Sequence, residues 1–264
     1  MDQASGDTNV PAWRSDSGLR GKHVVVTGAA GGIGRATAQA FAEAGSLVVA
    51  VDVDSQALEE LIDGLPGAGH RAFACDLADL RQHESIFELA TRDAPLAAVA
   101  HLAAVLVRRD TVDEITEADW DLQHSVNLKA TFFFNRAARD AFVAQRSRGS
   151  IVNFASQGWW TGGFGGSVVY SASKGGVVSM SRGLARGFAP DGVRVNVVAP
   201  GGVDTAMLHG GQQASAIDSF VSMIPLGRLA TPEELAGPVL FLASDASSYM
   251  TGALLNVSAG QLMY

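Results

Sequence analysis

The sequence predicts an α/β fold, with helices covering both faces of a doubly wound parallel sheet in a single domain. Three observations point there. Short runs of apolar, β-branched residues recur along the chain, as at 23–27, 47–51 and 193–198. Runs such as 47–51 are continuously apolar rather than alternating, which suits strands buried on both sides. Segments with apolar residues at helical spacing separate them, and strand alternating with helix is the pattern of a covered parallel sheet.

In chain order, residues 23–27 form a strand that runs into a glycine cluster, and 36–44 a helix closed by Gly45. Residues 47–51 form a second strand, ending at Asp52; 56–62 reads as a helix, 70–74 as a strand and 80–91 as a helix. Residues 96–103 are a further apolar run, followed by a polar segment, a long helical pattern over 117–145 and a strand at 150–155. The segment 171–188 is helical and is stopped by Pro190. Residues 193–198, 233–243 and 254–257 supply strand, helix and strand, for about seven strands in all. Right-handed crossovers then set the strand C-terminal ends along one edge, where ligands of such sheets bind.

Composition narrows the class. The chain has 264 residues, 47% apolar and 17% charged, which excludes intrinsic disorder. It carries 30 glycines, above the usual share of about 7%, and these mark tight turns and close backbone approaches. A net charge of −8 argues against nucleic acid. One cysteine, Cys75, leaves no internal disulfide and no Cys-based zinc site. The longest apolar stretch, 95–107, is interrupted by His101 and is too short for a bilayer. The polar, acidic opening is not a signal peptide, so a soluble cytoplasmic protein without membrane attachment is expected. Residues 1–20 read as a flexible leader with Trp13, and 21–264 as the folded domain. Residues 203–228 show little regular pattern and read as a lid or as disorder.

Four features carry chemistry. Thr27-Gly28-Ala29-Ala30-Gly31-Gly32-Ile33-Gly34 follows a predicted strand and opens a predicted helix. Glycines there let backbone approach a pyrophosphate, and the helix N-terminus offers it N–H groups and partial positive charge. Asp52 ends the second strand, eighteen residues past Gly34. A carboxylate there accepts from both adenosine ribose hydroxyls and repels a 2′-phosphate, which favours NAD over NADP; a helix N-cap is the other use of an Asp at that place. Tyr170 and Lys174, four apart, share one helix face, and an ammonium beside a phenol favours the phenolate. Ser156, at the end of strand 150–155, can donate to the same substrate oxygen or close a turn.

Taken together, these residues resemble the short-chain dehydrogenase/reductase family in its compact single-domain form, over about residues 20–261. Thr27–Gly34 is similar to the family's glycine fingerprint, Asp76 to its adenine-contacting Asp, and Asn127 in Val126-Asn127-Leu128 to its Asn. Ser156, Tyr170 and Lys174 follow in family order, then Pro200–Thr205, similar to the Pro-Gly segment beside the nicotinamide. The resemblance implies a Rossmann-like fold and hydride transfer between nicotinamide C4 and a substrate carbon, with no metal. It implies Tyr170 as general acid or base, and Lys174 as ligand of the nicotinamide ribose and the group that lowers the Tyr170 pKa. Ser156 would hold the reacting oxygen, and Asn127 would steady a water linking Lys174 to solvent. Gly28, Gly31, Gly32, Ile33, Gly34, Asp52 and Ala103 would line the cofactor. Asp76 and Leu77 would flank its adenine, and Val203 and Thr205 would touch its carboxamide. Pairing through helices 117–145 and 171–188 would give a homodimer or homotetramer.

The chain departs from the family where Asn-Asn-Ala-Gly becomes His101-Leu102-Ala103-Ala104, and where Asp-Gly-Gly becomes Ser258-Ala259-Gly260. Leu102 replaces none of the lost hydrogen bonds; His101, read as a satisfied core histidine, replaces one. Trp159, Trp160 and Met207 read as walls for a bulky apolar or cyclic substrate, or as loop anchors. Arg108-Arg109 face a substrate carboxylate or phosphate, or solvent, and Arg35 faces solvent. The reading is an NAD-dependent oxidoreductase interconverting a secondary alcohol and a ketone. A 3-oxoacyl-thioester ketoreductase, which wants a basic entrance from Arg108, Arg109, Arg136 or Arg139, is the nearer alternative; a non-catalytic NAD-binding regulator is the other.

Overall fold

The computed structural model describes residues 17–163 and 165–264. Its strands are β1 (His23–Thr27), β2 (Leu47–Asp52), β3 (Arg71–Ala74), β4 (Leu96–His101), β5 (Gly149–Phe154), β6 (Val193–Pro200) and β7 (Leu254–Val257). They form one sheet in the order β3-β2-β1-β4-β5-β6-β7, parallel throughout. The helices are α1 (Gly32–Glu43), α2 (Ser55–Gly64), α3 (His83–Ala90), α4 (Glu117–His124) and α5 (Thr131–Ala144), then α6 (Gly158–Thr161), α7 (Val168–Phe188), α8 (Ala206–His209), α9 (Ala214–Ser222) and α10 (Pro232–Ala243). The chain is the expected Rossmann-like doubly wound sheet in a single domain.

Strand periodicity explains the two cores. Val24 and Val26 point to one face of the sheet, where Phe41 of α1, Leu58 of α2 and Leu235 of α10 cover them. Val25 points to the other, against Ile86 of α3, Phe134 and Phe142 of α5 and Phe188 of α7. Because both faces are covered, β1 is buried at every position, and that is why its central Val24–Val26 do not alternate with polar residues. The order reverses between β1 and β4, which opens a crevice at the strand C-terminal ends.

Several boundaries differ from those the sequence suggests. The first helix begins at Gly32, because the glycine cluster is itself the first turn. The segment 117–145 is interrupted by a π-helical stretch, Ser125–Ala130, that joins α4 to α5. α7 starts at Val168, so Tyr170 lies within the helix. Residues 203–228 hold α8 and α9, so the region is neither structureless nor disordered. Folding also starts before residue 20: Leu19 is 2% exposed in the β1 core, and Ser17 accepts the Asp245 N–H at 3.2 Å. Residues 1–16, including Trp13, lie outside the described residues. No described helix is long and apolar enough to cross a membrane.

His101 ties the centre of the sheet together through two hydrogen bonds rather than one. Its Nδ1 lies 3.0 Å from Thr27 Oγ1 on β1, and its Nε2 lies 3.0 Å from Thr131 Oγ1 on α5. Thr131 donates to the Asn127 carbonyl at 2.7 Å, so the bonding pattern assigns the ring proton to Nε2. The ring stacks on Phe134 at 5.0 Å. Beside it, Asn153 and Asn135 exchange reciprocal bonds of 3.0 and 2.8 Å.

Candidate active site

A cavity of about 940 Å³ opens at the C-terminal edge of the sheet, between the glycine loop and α8–α9. Gly28, Gly31, Gly32, Ile33, Gly34, Asp52, Ala103, Ser156, Tyr170, Lys174, Val203, Thr205 and Met207 all line it. The glycine loop is tight for steric reasons. A Cβ at Gly34 would sit 2.0 Å from the Gly28 carbonyl, and one at Gly28 would sit 2.8 Å from Ala103 N, with φ +65° besides. The α1 N-cap, Gly31, has no side chain to spend on the first-turn N–H groups. These N–H groups and the helix dipole therefore face the cavity, and the cradle fits the diphosphate of a dinucleotide.

Asp52 is held by backbone rather than by a cation: Oδ2 accepts from Ala30 N at 3.0 Å and Oδ1 from Val53 N at 2.8 Å. The α2 cap is Asp54, which accepts from Ala57 N at 3.0 Å, so the cap role does not belong to Asp52. Arg35 is not a solvent residue; it donates to the carbonyls of Ala30 and Ala57 at 3.0 Å each, bracing the glycine loop against α2.

Tyr170 and Lys174 project from one face of α7, as their spacing requires. Lys174 is 3% exposed, and its Nζ donates to the Phe154 carbonyl at 2.9 Å. Burial lowers its pKa to about 8. Burial likewise pushes Tyr170 up to about 12, and the opposing charge comes from Arg108. In the protein alone, burial therefore outweighs the positive charge near Tyr170. Ser156 Oγ accepts from Gly158 N at 3.2 Å, which fixes the hydroxyl at the cavity wall.

Other expected site residues stand elsewhere. Asn127 is fully buried and does not line the cavity. Its Oδ1 accepts from Val105 N at 2.8 Å, while Nδ2 donates to Val105 O at 2.9 Å and to Ser173 Oγ at 3.1 Å. Those bonds, with the Asn127 carbonyl taken by Thr131, occupy it as a clasp on the segment after β4. Asp76 is exposed and closes its own turn onto Ala78 N at 2.8 Å; Leu77 is 6% exposed in the core, and neither lines the cavity. Trp159 and Trp160 also lie off it, because they pack on Tyr264 at 5.2 and 5.8 Å between ring centres. His209 pairs with Asp204 at 2.6 Å.

The two arginines that the sequence offers to a substrate anion or to solvent have different fates. Both line the cavity, but Arg109 is neutralised by Asp119 through bonds of 2.9 and 2.7 Å, whereas Arg108 donates to the Met207 and Leu208 carbonyls at 3.0 and 3.3 Å. Ala216, Ile217 and Phe220 of α9, with Met223 just past its end, close the cavity. Their helical spacing is visible in the sequence, but Gly210-Gly211 and the serines around them hide it.

A family model described as enoyl-(acyl carrier protein) reductase matches residues 28–261. A D-threitol dehydrogenase from Mycolicibacterium smegmatis is 36% identical over 93% of this chain and 94% of its own. A 3-oxoacyl-[acyl-carrier-protein] reductase from Thermotoga maritima is 37% identical over 92% of this chain and 98% of its own. Among solved structures, a short-chain type dehydrogenase/reductase from Mycobacterium marinum superposes with a TM-score of 0.87 at 30% identity, covering 94% of this chain and 98% of that one. A putative 2-deoxy-D-gluconate 3-dehydrogenase from Agrobacterium tumefaciens, solved with bound NADP, gives 0.85 at 33%, covering 94% and 99%.

Proposed function

This chain belongs to the short-chain dehydrogenase/reductase family, nicotinamide-dependent enzymes of CH–OH groups, and we propose that it uses NAD to interconvert a small secondary alcohol and its ketone. The observation that carries this reading is one cavity holding Ser156, Tyr170 and Lys174 beside the glycine loop and Asp52. A bound nicotinamide dinucleotide supplies the hydride acceptor or donor. The chain supplies the rest. Tyr170 moves the proton at its phenolic oxygen, Ser156 Oγ–H donates to the reacting oxygen, and Lys174 holds positive charge beside Tyr170. The glycine loop receives the diphosphate, and the Asp52 carboxylate accepts from ribose hydroxyls and opposes a 2′-phosphate.

A carrier-bound thioester substrate, as in the Thermotoga relative, would want a basic entrance. Arg109 is neutralised by Asp119, and Arg139 by Asp140 and Asp191 at 3.0 and 3.3 Å. Arg136 lies over the Phe133 ring at 4.8 Å. That leaves little basic surface for a carrier and favours a free substrate. Assembly as a homodimer or homotetramer belongs to the same proposal, supported by exposed Trp120, Leu122, Phe132 and Val143 on α4 and α5. So does a cytoplasmic place of action, supported by a single, free Cys75.

Absorbance at 340 nm over a panel of cyclic, polyol, sugar and acyl alcohols tests the reading, with NAD and NADP in parallel. Tyr170→Phe is expected to lose about 10²-fold or more of the parent rate. Equal rates for parent and variant would leave a binding protein without this chemistry.

A further inference from the structure

We infer that the substrate of this site carries a carboxylate, and that Arg108 is the residue that receives it. The inference rests on the alcohol–ketone reading above and names the substrate class within it. Arg108 and Arg109 are adjacent, yet only Arg109 has a carboxylate partner; no carboxylate among the described residues pairs with Arg108. Its only acceptors among the described residues are the Met207 and Leu208 carbonyls, both taken by the same Nη2. A guanidinium has five N–H donors, so most of this one remains available. The group is half withdrawn from water, and burial lowers its pKa. Arg108 lines the same cavity as Tyr170 and Ser156. An unpaired, partly desolvated cation lining a substrate cavity is unfavourable unless an anion arrives to meet it.

The position is built rather than incidental. Gln123 Oε1 accepts from Val107 N at 3.2 Å, and Asn127 clasps Val105 on both its N–H and its C=O. These bonds fix the backbone that aims Arg108, although the segment has no regular secondary structure. The charge balance selects a carboxylate over a phosphate dianion. Of the two cations on this wall without a carboxylate partner among the described residues, Lys174 is committed to the Phe154 carbonyl and the reacting end, which leaves Arg108, and Asp110 shares the wall. One guanidinium matches one negative charge and offers a planar fork to a planar group.

The test uses 2-, 3- and 4-oxo acids of four to six carbons, each beside its methyl ester. Binding by calorimetry to Tyr170→Phe loaded with NADH needs no turnover. The matching acid is expected to bind at least tenfold more tightly than its ester. Arg108→Gln in that background should bring the ratio to about one, and Arg108→Lys should retain part of it. Unfolding midpoints of all variants identify any that fail to fold, and Arg108→Lys then carries the comparison. Acid and ester binding equally, or a preference that survives Arg108→Gln, overturns the inference. Turnover of the same pairs by the parent tests the alcohol–ketone reading separately: acid-selective binding without turnover would sink that reading and leave the anion site standing.

Discussion

Lys174 donates to the carbonyl oxygen of Phe154 at 2.9 Å, and the same Nζ lies 5.6 Å from the centre of the Tyr170 ring. The ammonium is thus anchored to β5 and sits beside the phenol without bonding to it. With Tyr170 pushed up to about 12 by burial, the phenolate is the minor form at neutral pH. Alcohol oxidation should therefore rise with pH by about tenfold per unit on its acid limb. Lys174→Gln removes the cation, and should slow oxidation about 10²-fold or more while moving that limb to higher pH. A purely structural lysine would lower the rate and leave the limb in place. A flat profile from pH 6 to 9 in the parent would sink the proton-transfer role of Tyr170.

Asp52 should set the choice of dinucleotide. Its carboxylate is oriented by Ala30 N and Val53 N, so it presents negative charge at the cavity wall. Like charges in contact cost several kcal/mol, so NAD should exceed NADP by about 10²-fold or more in kcat/KM. Asp52→Asn keeps an acceptor for Ala30 N and removes the charge, and should narrow that ratio at least tenfold. Steady-state kinetics with both dinucleotides decide it; a parent that prefers NADP would overturn the assignment.

Asn127→Ala should act on stability first. It leaves the N–H and C=O of Val105 without partners, and each buried orphan costs about 1–3 kcal/mol. Asn127→Asp should cost at least as much, since it sets a carboxylate against the Val105 carbonyl. Urea unfolding measures both. If Asn127→Ala were as stable as the parent and only slow, the water-relay role implied by the family resemblance would return.

The sheet was legible because strands buried on both faces are apolar through their middles, as β1 is over Val24–Val26 and β2 over Leu47–Val51. The cavity wall was legible where chemistry demands a residue type at a fixed spacing, as for Gly28–Gly34 and for Tyr170 with Lys174. What escaped notice depends on tertiary pairing. Nothing in the dipeptide Arg108-Arg109 says that Asp119 neutralises one and leaves the other. Nothing near Trp159-Trp160 in sequence reveals Tyr264, about a hundred residues on, as the ring they pack against. The resemblance of Asp76 to a motif does not say that one of its carboxylate oxygens closes the turn at Ala78.

His101 should make the protein acid-sensitive well above the carboxylate range. Burial, with the charges of Lys174 and His83 adding to it, lowers its pKa from 6.5 to about 3. Above pH 6.5 the ring is neutral in both folded and unfolded chains, so it imposes no pH dependence. Below that, the unfolded chain takes up a proton that the folded chain refuses, and stability falls as pH falls toward 3. For one such histidine the loss between pH 7 and pH 5 is about 2 kcal/mol. His23 and His83 are lowered by burial too, and act in the same direction. Glu234, held down to about 2 by Arg228, loses its contribution only as pH falls from about 4.5 toward 2, so the interval from pH 6.5 to 5 belongs to the histidines. His101→Asn gives up the bonds to Thr27 and Thr131 and should cost about 1–3 kcal/mol at pH 7.5. The same variant should lose less on going to pH 5, because one proton no longer distinguishes the two states. Urea unfolding of parent and variant at pH 7.5, 6.0 and 5.0 gives both slopes. Parallel slopes would mean that His101 is protonated in the folded chain, and that its bond to Thr27 runs the other way.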